Sequence, residues 1–151
     1  MFVAQDRRLP RFEDYPVNET RISHPAPVDL KSSPDARRFR TALQQGASKG
    51  PNFAGHYTVV IWGCGSPCKA FAIVDAKTGS VHFPGFSLTL GADYRLDSDL
   101  FIEDPAEMWR AAYGDMAPEA IGGYAQATYY RWNGERLVAI DSLPIGKQAK
   151  R

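Results

Sequence analysis

The chain has 151 residues, of which 44% are hydrophobic and 23% are charged, and its formal net charge is +1. This size and composition are typical of one globular domain with its own core, and they exclude a wholly disordered chain. The near-neutral charge provides no overall attraction to nucleic acid or anionic membranes, and no apolar stretch approaches the length of a membrane-spanning helix. We therefore expect a single domain over residues 1–151, with no nucleic-acid partner and no membrane span.

The first 32 residues form a distinct N-terminal segment. They are rich in arginine, acidic residues and proline, and they show no helical or strand period. Prolines at 10, 16, 25 and 27 interrupt any long helix or central strand. We predict that residues 1–32 are an extended arm that wraps over the domain. Its expected anchors are Phe2, Leu9, Phe12, Tyr15, Val17 and Ile22.

A helix is predicted over residues 33–49, directly after the arm. Ser33 suits the N-cap position, and Pro34 suits the first helical position because its ring already holds the required φ. Apolar residues then recur at a spacing of three and four and define one face, namely Ala36, Phe39, Leu43 and Ala47.

The rest of the chain reads mainly as strands. Six segments have strand character, near 56–62, 69–75, 80–83, 93–102, 124–132 and 135–141. A second, short helix is predicted near 105–113, with Asp104 as its N-cap. The pair Asn133-Gly134 predicts a hairpin with a type I′ turn. We therefore predict an α+β fold in which residues 53–143 form mainly one twisted antiparallel sheet of about five to six strands.

The two cysteines of the chain, Cys64 and Cys68, lie in one turn. Its sequence is Trp-Gly-Cys-Gly-Ser-Pro-Cys at 62–68, between the first two predicted strands. A pair of cysteines four positions apart suits a local disulfide, a redox pair or half of a metal site.

A wider pattern surrounds this turn. Asn-Phe-Ala-Gly-His-Tyr at 52–57 precedes it, and Asp-Ala-Lys-Thr-Gly-Ser-Val at 75–81 follows it. The pattern covers roughly the middle third of the chain and resembles a family of small, largely uncharacterised bacterial proteins whose members are often exported. The resemblance implies a disulfide between Cys64 and Cys68, and it implies no activity.

The compartment stays open between two alternatives. The N-terminus lacks a basic head followed by a long apolar run, so no export signal is apparent. The expected location is the periplasm or the exterior if a signal has been removed, and otherwise the cytoplasm.

An enzyme or thiol-redox protein is the alternative functional hypothesis. A cysteine flanked by glycines can present a thiolate with histidine as its base, so Cys64 with His82 or His56 is the candidate pair. His56 would lie roughly 20 Å from the turn along an extended strand. The same distance argues against zinc held by these histidines and Cys68, although the ligand types fit. We therefore assign no catalytic residue, no metal and no cofactor, and we expect His56 to bond to backbone or to an acidic side chain.

Aromatic side chains supply the leading functional hypothesis. Tyrosine and tryptophan often anchor protein interfaces, although about half of those here are expected to fill the core. The predicted binding residues are Trp62, Trp109, Tyr113, Tyr124, Tyr130 and Trp132. Since no nucleotide loop or catalytic constellation is evident, we predict a non-catalytic bacterial binding protein. Its concrete form is an inhibitor or immunity protein that occludes a partner enzyme.

Overall fold

The computed structural model of the chain describes residues 8–114 and 125–145. The helices are α1 (Arg40–Ala47) and α2 (Ala106–Tyr113). The strands are β1 (Tyr57–Gly63), β2 (Lys69–Asp75), β3 (Val81–His82), β4 (Ala92–Tyr94), β5 (Leu100–Glu103), β6 (Gln126–Trp132) and β7 (Leu137–Pro144). The predicted α+β class is confirmed. Within the described residues, neither helix has the length and apolar character needed to cross a membrane.

The strands form two antiparallel sheets, so the prediction of one sheet with five to six strands is wrong. One sheet has the order β1-β2-β3 and the other the order β4-β5-β6-β7. The predicted strand 93–102 is divided into β4 and β5, because the backbone between them bonds to other segments. The Leu96 carbonyl accepts the Gly55 N–H at 2.8 Å, and the Asp99 N–H donates to the Tyr15 carbonyl at 3.1 Å.

The two sheets face each other across the central core. Phe53, Phe71, Phe101 and Trp132 are buried in one cluster that joins the inner faces of both sheets. Phe71 and Phe101 stack across this contact with ring centroids 5.2 Å apart. Burial of aromatic side chains from both sheets stabilises their packing as one core.

Helix α1 covers the outer face of the three-stranded sheet. Leu43 and Ala47 pack there against Val60 and Ala72. A Cβ atom at Gly46 would lie 2.6 Å from the Val60 side chain, so glycine permits the close approach of helix and strand. The absence of a side chain at this position therefore positions α1 next to β1.

Helix α1 is shorter than the predicted helix over 33–49. Residues 33–39 form turns, in which the Ala36 N–H donates to the Ser33 carbonyl, three residues back, at 3.1 Å. Phe39, with φ −108° and ψ 26°, is the N-cap from which the regular helix starts. The Arg40 N–H likewise donates three residues back, whereas the Phe39 N–H reaches the carbonyl four residues back, at 3.3 Å. Because the bonds are mixed in this way, Ser33 and Pro34 begin a series of turns and not the regular helix.

The N-terminal arm crosses both sheets. Leu9, Phe12 and Tyr15 pack with Leu100 and its neighbours on the outer face of the four-stranded sheet. Further along, the arm bonds to the turn after β2: the Ala26 N–H donates to the Ala76 carbonyl and the Asp29 N–H donates to the Gly79 carbonyl, both at 2.8 Å. The arm therefore ties the two sheets together.

The hairpin predicted at Asn133-Gly134 is confirmed, because β6 and β7 pair across it. The predicted type I′ turn is wrong, since it needs positive φ at both central residues and only Gly134, at +97°, has it. The Asn133 side chain instead accepts the N–H groups of Glu135 and Arg136 at 2.8 and 2.9 Å. Asparagine thus forms this turn through its side chain.

Helix α2 is capped differently from the prediction. Pro105 is the N-cap, and Asp104 lies before it with φ +51°. The Asp104 carboxylate is buried and accepts the backbone N–H groups of Thr89, Leu90 and Gly91, the shortest of them at 2.7 Å. Asp104 therefore fixes the loop before β4 and does not cap the helix.

Candidate functional site

The tip of the β1–β2 hairpin carries the cysteine turn. Cys64 and Cys68 form a disulfide with their Cα atoms 5.1 Å apart, so the predicted pairing is confirmed. The Cys64 N–H also donates to the Cys68 carbonyl at 3.1 Å, and the Cys68 N–H donates to the Gly65 carbonyl. The turn is therefore closed by one covalent bond and two backbone hydrogen bonds.

Five consecutive residues of this tip, 63–67, are exposed. A Cβ atom at Gly63 or Gly65 would meet no atom within 4 Å, which shows that the tip projects from the domain. Gly65 has φ +112°, a conformation that favours glycine. Beside the tip lies a groove of about 390 Å³ whose other side is formed by Thr89 and Leu90. Since Asp104 holds those two residues, the buried carboxylate positions one wall of the groove.

A cluster of half-buried aromatic rings adjoins the tip. The Trp62 ring lies 5.1 Å from Phe39 and 6.4 Å from Phe83, measured between centroids. The Arg38 guanidinium lies over the Phe39 ring at 5.2 Å, a cation–π contact. We call these residues, Arg38, Phe39, Trp62 and Phe83, the aromatic patch. Trp62 is thus the predicted binding residue that lies closest in sequence to the tip.

Two other predicted binding residues lie in the core. Trp109 and Trp132 are only 2% and 5% exposed. The Trp109 indole N–H donates to the Gln126 carbonyl at 3.2 Å, and the Trp132 ring packs edge-on against Tyr57 at 5.2 Å. Their burial removes both tryptophans from the predicted binding face, because their surfaces contact the protein itself.

The predicted tyrosines have different surroundings. Tyr113 is half-buried and stacks on Trp109 with centroids 5.7 Å apart. Tyr124 lies outside the described residues. Tyr130 is half-buried, stacks on Phe86 at 5.2 Å, and donates its hydroxyl proton to Glu103 at 2.7 Å. Burial and the acceptor carboxylate together raise the pKa of Tyr130 well above its ordinary value.

The Glu103–Tyr130 pair gives a testable pH dependence. Burial raises the pKa of the Glu103 carboxyl above 4.5, and the hydrogen bond from Tyr130 opposes part of that rise. The Tyr130→Phe substitution should therefore raise the Glu103 pKa further, as measured by NMR titration of the carboxyl carbon. A raised pKa means that Glu103 contributes most to stability below its unfolded-state pKa and less as pH rises through the folded-state pKa.

The matched control for this titration is Tyr129→Phe. Tyr129 is a neighbouring buried tyrosine in β6 that has no hydrogen bond to Glu103. The control should leave the Glu103 titration unchanged, whereas Tyr130→Phe should extend the decline in stability to higher pH. An unchanged Glu103 titration in Tyr130→Phe would show that the hydrogen bond has no electrostatic effect.

His56 joins three parts of the structure. Its Nδ1 lies 2.8 Å from Glu19 in the arm, and its Nε2 lies 3.8 Å from Asp75 at the end of β2. Its ring also packs on Tyr57 at 4.3 Å. The predicted bonding of His56 to an acidic side chain is therefore present, and the residue links the arm to the three-stranded sheet.

The structure brings neither histidine to the cysteines. The seven residues of β1 separate His56 from Cys64, a distance of roughly 26 Å at the usual strand rise. His82 pairs with Ile73, five residues along β2 from Cys68 and so roughly 16 Å away. Both sulfurs are held in the disulfide. The enzyme hypothesis requires a free thiol with a histidine beside it, and in this disulfide form Cys64 has neither.

The zinc alternative is not assembled either. Within residues 8–114 and 125–145, no three or more His, Cys, Asp or Glu side chains gather in a way that could hold a metal ion.

One structural residue of this region was missed at the sequence level. The Asn52 carboxamide bonds to both backbone groups of Val59: its Oδ1 accepts the N–H at 2.8 Å and its Nδ2 donates to the C=O at 3.3 Å. Asn52 thus occupies the place of a neighbouring strand residue at the outer edge of β1. The local sequence gives no signal for this contact, because an asparagine directly after a proline, here Pro51, predicts a turn.

Comparison with known proteins returned no match to this chain among family models, curated proteins or solved structures.

Proposed function

We propose that this protein is a non-catalytic binding protein of the inhibitor or immunity type, which occludes a partner enzyme with the hairpin tip. One observation carries the proposal: the exposed residues 63–67 are closed at their base by the Cys64–Cys68 disulfide. A loop held in one conformation loses little freedom on binding, so more of its contact energy appears as affinity.

The Cys64–Cys68 disulfide is expected to contribute little to the free energy of unfolding. The bond closes a loop with a sequence separation of four, and a loop this short removes little entropy from the unfolded chain. The bond also lies at an exposed tip and not in the core. Its main effect is therefore to fix the shape of the tip, which is what a binding loop requires.

The aromatic patch supports the same use. Tryptophan and arginine are among the residues that contribute most to protein interfaces, and half-buried rings beside a fixed loop offer apolar area at low entropic cost. Trp62 is the last residue but one of β1, so the patch and the tip are continuous in the chain.

Opening the disulfide tests this role directly. We expect the Cys64→Ser/Cys68→Ser double variant to lose only about 1–2 kcal/mol of unfolding free energy, measured by urea denaturation. Its affinity for the partner enzyme should fall by about tenfold or more, because the tip must then be ordered on binding. A reducing agent should reproduce both changes in the wild type and change nothing in the double variant.

The partner itself is identified by affinity capture and inhibition. Immobilised protein is exposed to an extract of the cells that make it, the retained protein is purified, and its enzyme activity is titrated with the free chain. We expect inhibition to saturate at one molecule per enzyme active site, and Trp62→Ala to weaken it by about tenfold or more. Val138→Ala, an exposed apolar residue on β7, is the matched control and should inhibit like the wild type. Failure to retain a stoichiometric partner, or full activity of that partner at saturation, would overturn the proposal.

A further inference from the structure

The outer edge of β1 presents unpaired backbone groups. Among the strands that the structure describes, only β2 pairs with β1, so β1 is an edge strand of its sheet. In an antiparallel pair, alternate residues direct their N–H and C=O groups toward the partner strand, and the residues between them direct these groups outward. The bond from the Cys64 N–H to the Cys68 carbonyl fixes this alternation, so even-numbered residues face β2. Ile61 and Gly63 therefore direct their N–H and C=O groups away from β2.

The described residues, 8–114 and 125–145, cover this edge only up to Val59. There the Asn52 carboxamide takes both outward-facing groups, as described above. In the part of the chain that the structure describes, no group bonds to the outer N–H or C=O of Ile61 or Gly63. Two residues at strand spacing thus each offer one free donor and one free acceptor.

A groove of about 420 Å³ runs along this open edge. One side of the groove is formed by Gln45 of helix α1 and by Lys49, two residues after the helix, and Tyr94 of β4 lies on the other side. Lys49 is the only charged side chain among the described residues that line the groove. Among the described residues that line it, the groove therefore combines a strand edge with one positive charge and no acidic side chain.

The described structure would accommodate a side chain at position 63, where the chain has glycine. Its φ is not positive, and a Cβ atom there would meet no atom within 4 Å. Glycine inside a strand weakens it and often marks a place where another backbone approaches closely. Here the approaching backbone would come from outside the described chain.

We propose that the outer edge of β1 at Ile61–Gly63 binds an extended segment of the partner protein as an added strand, with an acidic side chain of that segment against Lys49. Backbone hydrogen bonds supply the affinity in this mode, and pockets for side chains supply the specificity. The inference rests on the proposed function and specifies how the partner is held next to the tip.

The test uses linear peptides selected from a random library on the immobilised wild-type protein. The tightest peptide is expected to carry an acidic residue, and N-methylation of alternate backbone nitrogens should weaken it by about tenfold or more. Hydrogen exchange of the Ile61 and Gly63 amides should be fast in the free protein and slow by about tenfold or more in the complex. Failure to select any peptide, or a peptide insensitive to N-methylation, would overturn the inference.

Two pairs of variants locate the bound strand. Lys49→Glu should weaken the peptide by about tenfold, whereas the same change at the exposed Lys77, in the turn after β2, should not. Gly63→Pro removes one outward N–H and fills the approach to the edge, so it should weaken the peptide more than Gly63→Ala, which adds a Cβ atom but keeps the N–H. A peptide that binds equally to Lys49→Glu and Gly63→Pro lies elsewhere and contradicts the inference.

The two proposals fail in distinguishable ways. If the captured enzyme is inhibited equally by wild type and Gly63→Pro, the hairpin tip is sufficient for inhibition. The strand-addition inference is then overturned, and the proposed function stands. If peptides bind at the β1 edge but no enzyme is inhibited, the proposed function is overturned and the edge remains a peptide-binding site.

Discussion

Replacement of Asp104 by alanine is expected to lower the free energy of unfolding by about 3–5 kcal/mol, in a urea titration at neutral pH. The wild-type carboxylate is 3% exposed and accepts three backbone N–H groups, from Thr89, Leu90 and Gly91. Alanine would leave those donors without an acceptor in a place with little access to water. Alanine also tolerates φ +51° less well than aspartate, whose short polar side chain can hydrogen-bond locally in this conformation, and that difference adds to the loss.

Two further substitutions separate the causes of this loss. Asparagine tolerates positive φ and keeps one acceptor oxygen, so Asp104→Asn is expected to lose about 1–3 kcal/mol. Asp93→Ala removes an exposed carboxylate from β4 and should stay within about 0.5 kcal/mol of the wild type. If Asp104→Ala were as mild as Asp93→Ala, the buried hydrogen bonds would have no net stabilising effect.

Gly79→Ala is expected to have the second large effect, a loss of about 3 kcal/mol or more. A Cβ atom at this position would lie 2.0 Å from the backbone oxygen of Pro27, which cannot move aside without displacing the arm. The Gly79 carbonyl also accepts the Asp29 N–H, so displacement breaks that bond as well. Limited proteolysis should then cleave the arm faster than in the wild type.

Gly50→Ala is a closely matched control for Gly79→Ala. The two glycines have similar φ values, +90° and +85°, but a Cβ atom at Gly50 would meet nothing within 4 Å. Gly50→Ala should therefore show only the cost of positive φ, about 1–2 kcal/mol. The difference between the two variants measures the steric clash with the arm. Equal losses of unfolding free energy in both variants would show that the arm moves aside from the new Cβ atom without an energetic penalty.

Local signals in the sequence predicted local structure well. Alternating apolar residues placed β1 and β2 correctly, and Asn133-Gly134 placed the hairpin between β6 and β7. The division into two sheets was not predictable in the same way. It depends on bonds between residues far apart, such as those from the Asp99 N–H to the Tyr15 carbonyl and from the Gly55 N–H to the Leu96 carbonyl, which leave no period in the sequence.

The candidate site was predicted in part. The cysteine turn and Trp62 were identified, because glycine, proline and paired cysteines have distinctive local chemistry. Trp109 and Trp132 were assigned to a surface, since residue type alone does not distinguish a buried ring from an exposed one. The open edge of β1 was not found, because backbone hydrogen bonding depends on pairing and not on side-chain identity.

The contacts of the arm also have a consequence for synthesis of the chain. Glu13 lies 3.5 Å from Arg95, its ion-pair partner 82 positions further along the chain. At the usual rate of translation the arm emerges about 4 to 16 seconds before this partner does. During that interval Phe12 and its neighbours have no second sheet on which to pack. The arm is therefore made before the strands on which it packs and is among the last segments to reach its final place, so it depends on the nascent chain not aggregating until then.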